Sequence, residues 1–284
     1  MGSRATIGAL VGLLVWLLPS PAAAAPGDLD PSFGRAGLAR LLPEARVLRD
    51  FASFPDGGVV AAFSQASPYA GGVLRKLGPD GRPDDGFGDG GSTVRPPIDV
   101  AGLDVYPDGA VALVGLEGAM PGDERAVARL RPDGSADPAF ADGGVARPDF
   151  GPQFRLAGVI ANSDGGLTTA VRLGGGIGGE TAIARFGPDG SLDDTFGQSG
   201  LASPVSGSFV DLEAGPAGTT YLLVDASPDD ALSMVARFDH GGALDPSFGA
   251  GGIAYITDPY GQPSGYTGGL DEIEVDGAGR TVTV

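Results

Sequence analysis

Cysteine is absent from the 284 residues, and histidine and lysine each occur once, as His240 and Lys76. Without cysteine there are no disulfides, no thiolate zinc sites, no Cys nucleophile and no lipidated N-terminal Cys. A single histidine removes most His-based catalysis and metal chemistry as well. Positive charge is scarce: 18 Lys and Arg stand against 36 Asp and Glu, a formal net charge of −18. No basic stripe is available to displace counterions from phosphate, so nucleic acid is not an expected partner. Long apolar runs are also lacking, with one exception near the N-terminus.

That exception reads as a secretory signal over residues 1–25. Arg4 supplies the positive start, Ile7–Leu18 the apolar stretch, and Ala22–Ala25 the small residues at which cleavage after Ala24 is expected. At 1.5 Å per residue the apolar stretch makes a helix about 18 Å long, short of the roughly 30 Å hydrocarbon core. An exported protein is the expectation, secreted or held in the periplasm or at the cell surface, with no membrane span once the signal is removed.

What the chain has in abundance is glycine, 51 residues, and proline, 24, set among short apolar clusters. They are ordered by one repeat. The block Leu-Asp-x-x-Phe-Gly-x-x-Gly begins at Leu29, Asp30, Phe33 and Gly34 and returns with Phe87, Phe140, Phe196 and Phe248, a period of 52–56 residues. Two turns keep the same period. One is Pro55-Asp56-Gly57, with counterparts ending at Gly109, Gly165, Gly218 and Gly279. The other follows a basic residue: Lys76 before Pro79-Asp80-Gly81, then Arg129, Arg185 and Arg237 before their own turns. A fixed period of this length signals a repeat architecture.

Segments of five to eight residues rich in Val, Leu, Ile, Ala and Tyr lie between the turns, as at Val111–Leu116, Ala182–Phe186 and Tyr221–Val224. Bounded by Pro-Asp-Gly, they are expected to be strands rather than helices, about four per period. A four-stranded unit cannot bury both faces alone, so neighbouring units must stack. The expected fold is all-β: a β-propeller of four-stranded antiparallel blades over residues 26–284. The repeats fall near 28–81, 82–134, 135–190, 191–242 and an incomplete 243–284. Two endings fit: a chain truncated at the C-terminus, or a ring closed by Leu38–Leu42 pairing with the last blade.

The Leu-Asp-x-x-Phe-Gly-x-x-Gly block, the Pro-Asp-Gly turn and the Arg-x-x-Pro-Asp-Gly segment together resemble the delta-60 repeat family of β-propellers. The resemblance covers Leu29 to the end. Departures are single residues: Ala141 for the Gly after Phe140, Pro83 and Ala136 for Leu, Ala217 and Ala278 for the turn Asp. It implies a bacterial exported propeller and brings no catalytic residues with it.

Chemistry is sought first on the innermost strand of each blade. Aligned on the first turn, positions six and four before it share one face. They hold Asp50, Asp104, Asp211, Glu213, Glu272 and Glu274, interspersed with Gly102, Gly158, Ala52 and Ile160. Crowded carboxylates raise one another's pKa unless a cation neutralises them, and Ca2+ prefers such hard oxygen ligands. The six acids are therefore a candidate site for Ca2+ or another cation; the plain alternative is a wet, solvated acidic face. No other cofactor is expected.

The five repeated aspartates Asp30, Asp84, Asp137, Asp193 and Asp245 are expected to accept backbone N–H bonds at blade corners, with peripheral Ca2+ sites as the alternative. His240 lacks an adjacent nucleophile and orienting acid in the sequence. Residues 174–179, rich in glycine, have no following helix and so resemble a hairpin tip rather than a phosphate loop, as do 119–124 and 67–72. The function expected is that of an exported non-enzymatic binding or scaffold module, its partner a protein or a cell-surface polysaccharide. The second reading is a propeller enzyme, a polysaccharide lyase or hydrolase using channel carboxylates.

Overall fold

The computed structural model describes residues 28–41, 47–64, 72–88, 93–117, 124–151, 153–174, 179–225, 233–256 and 272–283. The signal segment and most of the three hairpin tips lie outside the described residues. Apart from one short 3-10 turn at Pro216–Gly218, every element among the described residues is a strand. Among the described residues no helix is long and apolar enough to cross a membrane.

Each period folds as an antiparallel meander. The first contains β1 (Val47–Ser53), β2 (Val59–Ser64), β3 (Gly72–Leu77) and the short β4 (Thr93–Val94). The second holds β5 (Asp99–Val105), β6 (Val111–Glu117), β7 (Glu124–Leu130) and β8 (Val145–Ala146). The third runs β9 (Arg155–Ala161), β10 (Leu167–Leu173), β11 (Glu180–Phe186) and β12 (Val205–Ser206). The fourth is built from β13 (Ser208–Ala214), β14 (Thr220–Asp225), β15 (Ser233–Phe238) and β16 (Ile253–Ile256). A fifth sheet contains β17 (Ile273–Val275) and β18 (Thr281–Thr283). These are the blades of a β-propeller.

The turns form for the reason their composition suggests. In the first, Gly57 takes φ +90, its N–H donates to the Phe54 carbonyl, and Asp56 accepts the Gly58 N–H at 2.8 Å. The other Pro-Asp-Gly turns repeat this pattern, for example Asp108 with Ala110 and Asp133 with Ser135.

The core lies between blades. Leu74, Leu103, Leu113 and Phe87 pack together from the first two sheets, Phe140, Leu156 and Phe186 from the second and third, and Phe196, Leu212 and Phe238 from the third and fourth. Phe87, Phe140 and Phe196 are each buried against a turn glycine of the following blade, Gly134, Gly190 and Gly242, where a Cβ would lie only 2.9–3.2 Å from the ring. The residue after each Phe donates its N–H to that same turn: Gly88 to Asp133, Ala141 to Asp189, Gly197 to Gly241. Gly34 donates to Asp80 in the same way, which docks residues 28–41 on the first blade. Within the described residues Leu38 bridges only Gly34 and Arg35, and no ladder joins this segment to the last sheet.

Candidate functional site

The innermost strands β1, β5, β9, β13 and β17 lie side by side in that order. The expected acid face is placed differently from a channel lining. Positions five before the turn face the preceding blade, where Leu103, Val159, Leu212 and Ile273 are buried. Positions six and four face the following blade: Ala52 packs into the core shared with the second sheet, and Ile160 into the core shared with the fourth. In a stack of blades, an inner strand turns both faces to its neighbours and only its edge to the axis.

An edge leaves backbone N–H groups without a ladder partner, and three aspartates supply that partner. Asp50 accepts the N–H of Phe51 at 2.8 Å and, across to the next blade, that of Leu103 at 2.8 Å. Asp104 accepts from Val105 at 2.7 Å and from Ala161 of the third blade at 2.7 Å. Asp211 accepts from Leu212 at 2.8 Å and from Ile273 of the fifth at 2.9 Å. Each carboxylate therefore pins its own strand to the next. The third blade has no such acid. Gly158 and Ile160 occupy the positions, Gly158 takes φ +60, and the Phe209 ring fills the space where its side chain would stand.

Burial pushes the Asp50 and Asp104 carboxyls above the usual carboxylate range, against the opposing pull of their N–H donors. Glu213 moves further. Burial first, then Asp211, Glu274, Asp104 and Glu272, lift it from 4.5 to about 7. No hydrogen-bond donor holds it among the described residues. Asp50, Asp104 and Asp211 already have both oxygens engaged, and among the described residues no group of three acids or histidines converges so as to hold a metal ion.

The corner aspartates take up their expected bonds: Ser32, Gly86, Ala139, Thr195 and Ser247 donate backbone N–H to Asp30, Asp84, Asp137, Asp193 and Asp245. Four of them also pair with the repeated cation, Lys76–Asp84 at 3.0 Å, Arg129–Asp137 at 2.8 Å, Arg185–Asp193 at 3.7 Å and Arg237–Asp245 at 2.8 Å.

Sequence reasoning missed a cavity between the third and fourth blades, about 360 Å³ in volume, that brings together Asn162, Asp164, Thr168, Arg185, Thr219 and His240. The signal that could have found it is Asn162, standing where the first two turns carry Phe54 and Tyr106.

A family model described as "Domain of unknown function (DUF5122) beta-propeller" matches residues 107–140 and 164–196. Both stretches run from an inner turn to the next corner Phe, so the match supports a β-propeller family. No curated protein sequence matches the chain. Among solved structures it is similar to a protein of unknown function from Dyadobacter fermentans DSM 18053, at 13% identity and a TM-score of 0.42, covering 70% of this chain and 67% of that one. It is also similar to a subtype N10 neuraminidase-like protein of A/little yellow-shouldered bat/Guatemala, at 10% identity and 0.41, covering 68% of this chain and 56% of that one. A third is a GH32 beta-fructofuranosidase of Bombyx mori, at 12% identity and 0.38, covering 82% and 53%. The chain thus spans little more than half the length of the last two.

Proposed function

We propose that this chain is an exported, non-enzymatic binding module built of delta-60-like repeats, with the axial aspartates Asp50, Asp104 and Asp211 serving the frame and recognition lying between and around the blades. The observation that carries this reading is the use of both oxygens of Asp50, Asp104 and Asp211 on backbone N–H groups of two successive inner strands. A carboxylate so engaged is a fastener; a general acid or base needs an oxygen facing substrate. The partner proposed is a cell-surface polysaccharide or a protein outside the cytoplasm.

One observation favours the second reading, a polysaccharide lyase or hydrolase. Glu213, lifted to about 7, stands beside carboxylates in other environments, and acid–base pairs are made by such separation. Incubation of the chain with immobilised dextran and with alginate separates the two. The binding-module reading expects saturable retention with no new reducing ends or unsaturated products. Cleavage that disappears in Glu213→Gln would replace it with the enzymatic one.

A further inference from the structure

Repeats make a binding site conspicuous where one of them breaks the pattern. At three of the described blade interfaces an aromatic ring fills the space beneath the repeated cation. Lys76 Nζ lies 4.6 Å from the centre of the Phe54 ring, and the Arg129 guanidinium 5.4 Å from that of Tyr106. In the fourth blade Gly215 occupies the aromatic position and Tyr221, from the facing strand β14, takes the space instead, with Arg237 6.0 Å away. Tyr221 is 1% exposed, and its hydroxyl donates to the Gly279 carbonyl of the next blade at 3.1 Å.

The third blade has neither ring. Its counterparts of Tyr106 and Tyr221 are Asn162 and Thr168, which bond each other: Asn162 Nδ2 donates to Thr168 Oγ1 at 3.1 Å, and the hydroxyl lies 3.2 Å from Asn162 Oδ1. The room a ring would fill is the 360 Å³ cavity, at the low end of the roughly 300–1,000 Å³ of small-molecule sites. Arg185 has no ring beneath it among the described residues; it pairs with Asp164 at 2.6 Å and keeps the bond to the next blade's turn, to the His240 carbonyl at 3.4 Å, that Arg129 makes to the Pro188 carbonyl. His240 forms the lip from the fourth blade, at a position where the preceding turns carry Pro79, Pro132 and Pro188. The departures at 162, 168 and 240 therefore converge on one place from two blades.

The lining selects a chemistry. Asn162 offers an amide with both donor and acceptor and Thr168 and Thr219 offer hydroxyls, while Asp164, its two oxygens taken by the Gly166 amide and Arg185, fixes the wall of the cavity. The Arg185 guanidinium is already matched by two carboxylates, Asp164 and Asp193, so an anionic ligand finds no uncompensated partner there. Alternating donors and acceptors without net positive charge suit hydroxyl groups, each of which gives and receives a hydrogen bond.

The geometry points to a neutral saccharide unit bound between the third and fourth blades, held by Asn162, Thr168 and Thr219 and closed at the lip by His240. This inference rests on the binding-module reading and gives it a site. Calorimetric titration of the full chain with D-glucose, D-galactose, D-mannose and N-acetyl-D-glucosamine tests it, with D-glucuronate as the anionic control. At least one neutral sugar is expected to bind saturably and glucuronate not to bind. Asn162→Tyr, which installs the ring that the second blade carries, is expected to weaken binding by about tenfold or more while melting no lower than the parent. His240→Ala, on the exposed lip, checks the same cavity should the first variant fold poorly. The site is overturned if no neutral sugar binds, if glucuronate binds equally well, or if the folded variants bind like the parent. Sugar binding that survives both substitutions overturns the cavity and leaves the binding-module reading in place, whereas cleavage of dextran or alginate overturns that reading alone.

Discussion

The carboxylate of Asp211 on β13 accepts the backbone N–H of Ile273 on β17 at 2.9 Å, while its other oxygen accepts the N–H of Leu212 on its own strand. The two strands belong to different blades and share no ladder, so a side chain performs the fastening that a β-ladder would perform within a sheet. Asp104 and Asp50 repeat the arrangement two and three blades earlier. An inner edge that would otherwise present unpaired donors to the axis is thereby closed.

Removing such a fastener differs from neutralising it. Asp104→Ala orphans the amides of Val105 and Ala161 and is expected to cost about 2–3 kcal/mol in urea unfolding. Burial already disfavours the ionised form of Asp104. Asp104→Asn, which keeps one acceptor and drops the buried charge, is therefore expected to cost no more than about 1 kcal/mol. Equal losses in the two variants would contradict this account of the bond.

Glu213 gives the chain a pH dependence of definite sign. Its folded pKa of about 7 lies above its ordinary 4.5, so between those values the native state binds more protons than the unfolded one. Stability therefore falls as pH rises through this window. After allowance for partial solvent screening the loss is about 1–2 kcal/mol. Glu213→Gln is expected to flatten that part of the profile, equal to the parent near pH 4 and more stable than it near pH 8. Chemical unfolding across the window reads the difference.

The corner phenylalanines are equivalent in sequence and unequal in burial. Phe140 is fully buried between the second and third blades, whereas Phe33, with a blade on one side only among the described residues, is half-buried. Phe140→Ala is expected to cost about 3–5 kcal/mol, and Phe33→Ala well under half of that.

The same contrast holds on the inner strands. Ile273 is 1% exposed and Phe51, at the equivalent position, 62%. Ile273→Ala is expected to cost about 2 kcal/mol or more, and Phe51→Ala less than about 0.5 kcal/mol. Equal costs would mean that a neighbour covers β1.

The fold was legible because its determinants are local and repeated. Each Pro-Asp-Gly turn dictates its own hairpin, the fixed period dictates stacking, and the corner aspartates bond amides two residues away. Asp50, Asp104 and Asp211 stand out in the sequence as acids, but their bonds to the next blade do not. Alternation along a strand tells which side chains share a face; it does not tell that both faces of an inner strand meet neighbouring blades. Asp50 and Leu103 are brought together by stacking, which no spacing within one repeat encodes. The cavity at Asn162 was missed for a related reason. It depends on a ring that is absent, and Tyr221 shows that the ring can come from either of two strands.

Asp50, Asp104 and Asp211 fasten the inner strands, and recognition is proposed to lie away from the axis. Thermal unfolding of residues 25–284 with and without millimolar Ca2+, with Mg2+ as the ionic control, tests that division most directly. The predicted result is the same melting temperature in both cations. A saturable rise specific to Ca2+, lost when Glu213 and Glu274 are changed to Gln, would contradict it and make the axis the ligand site.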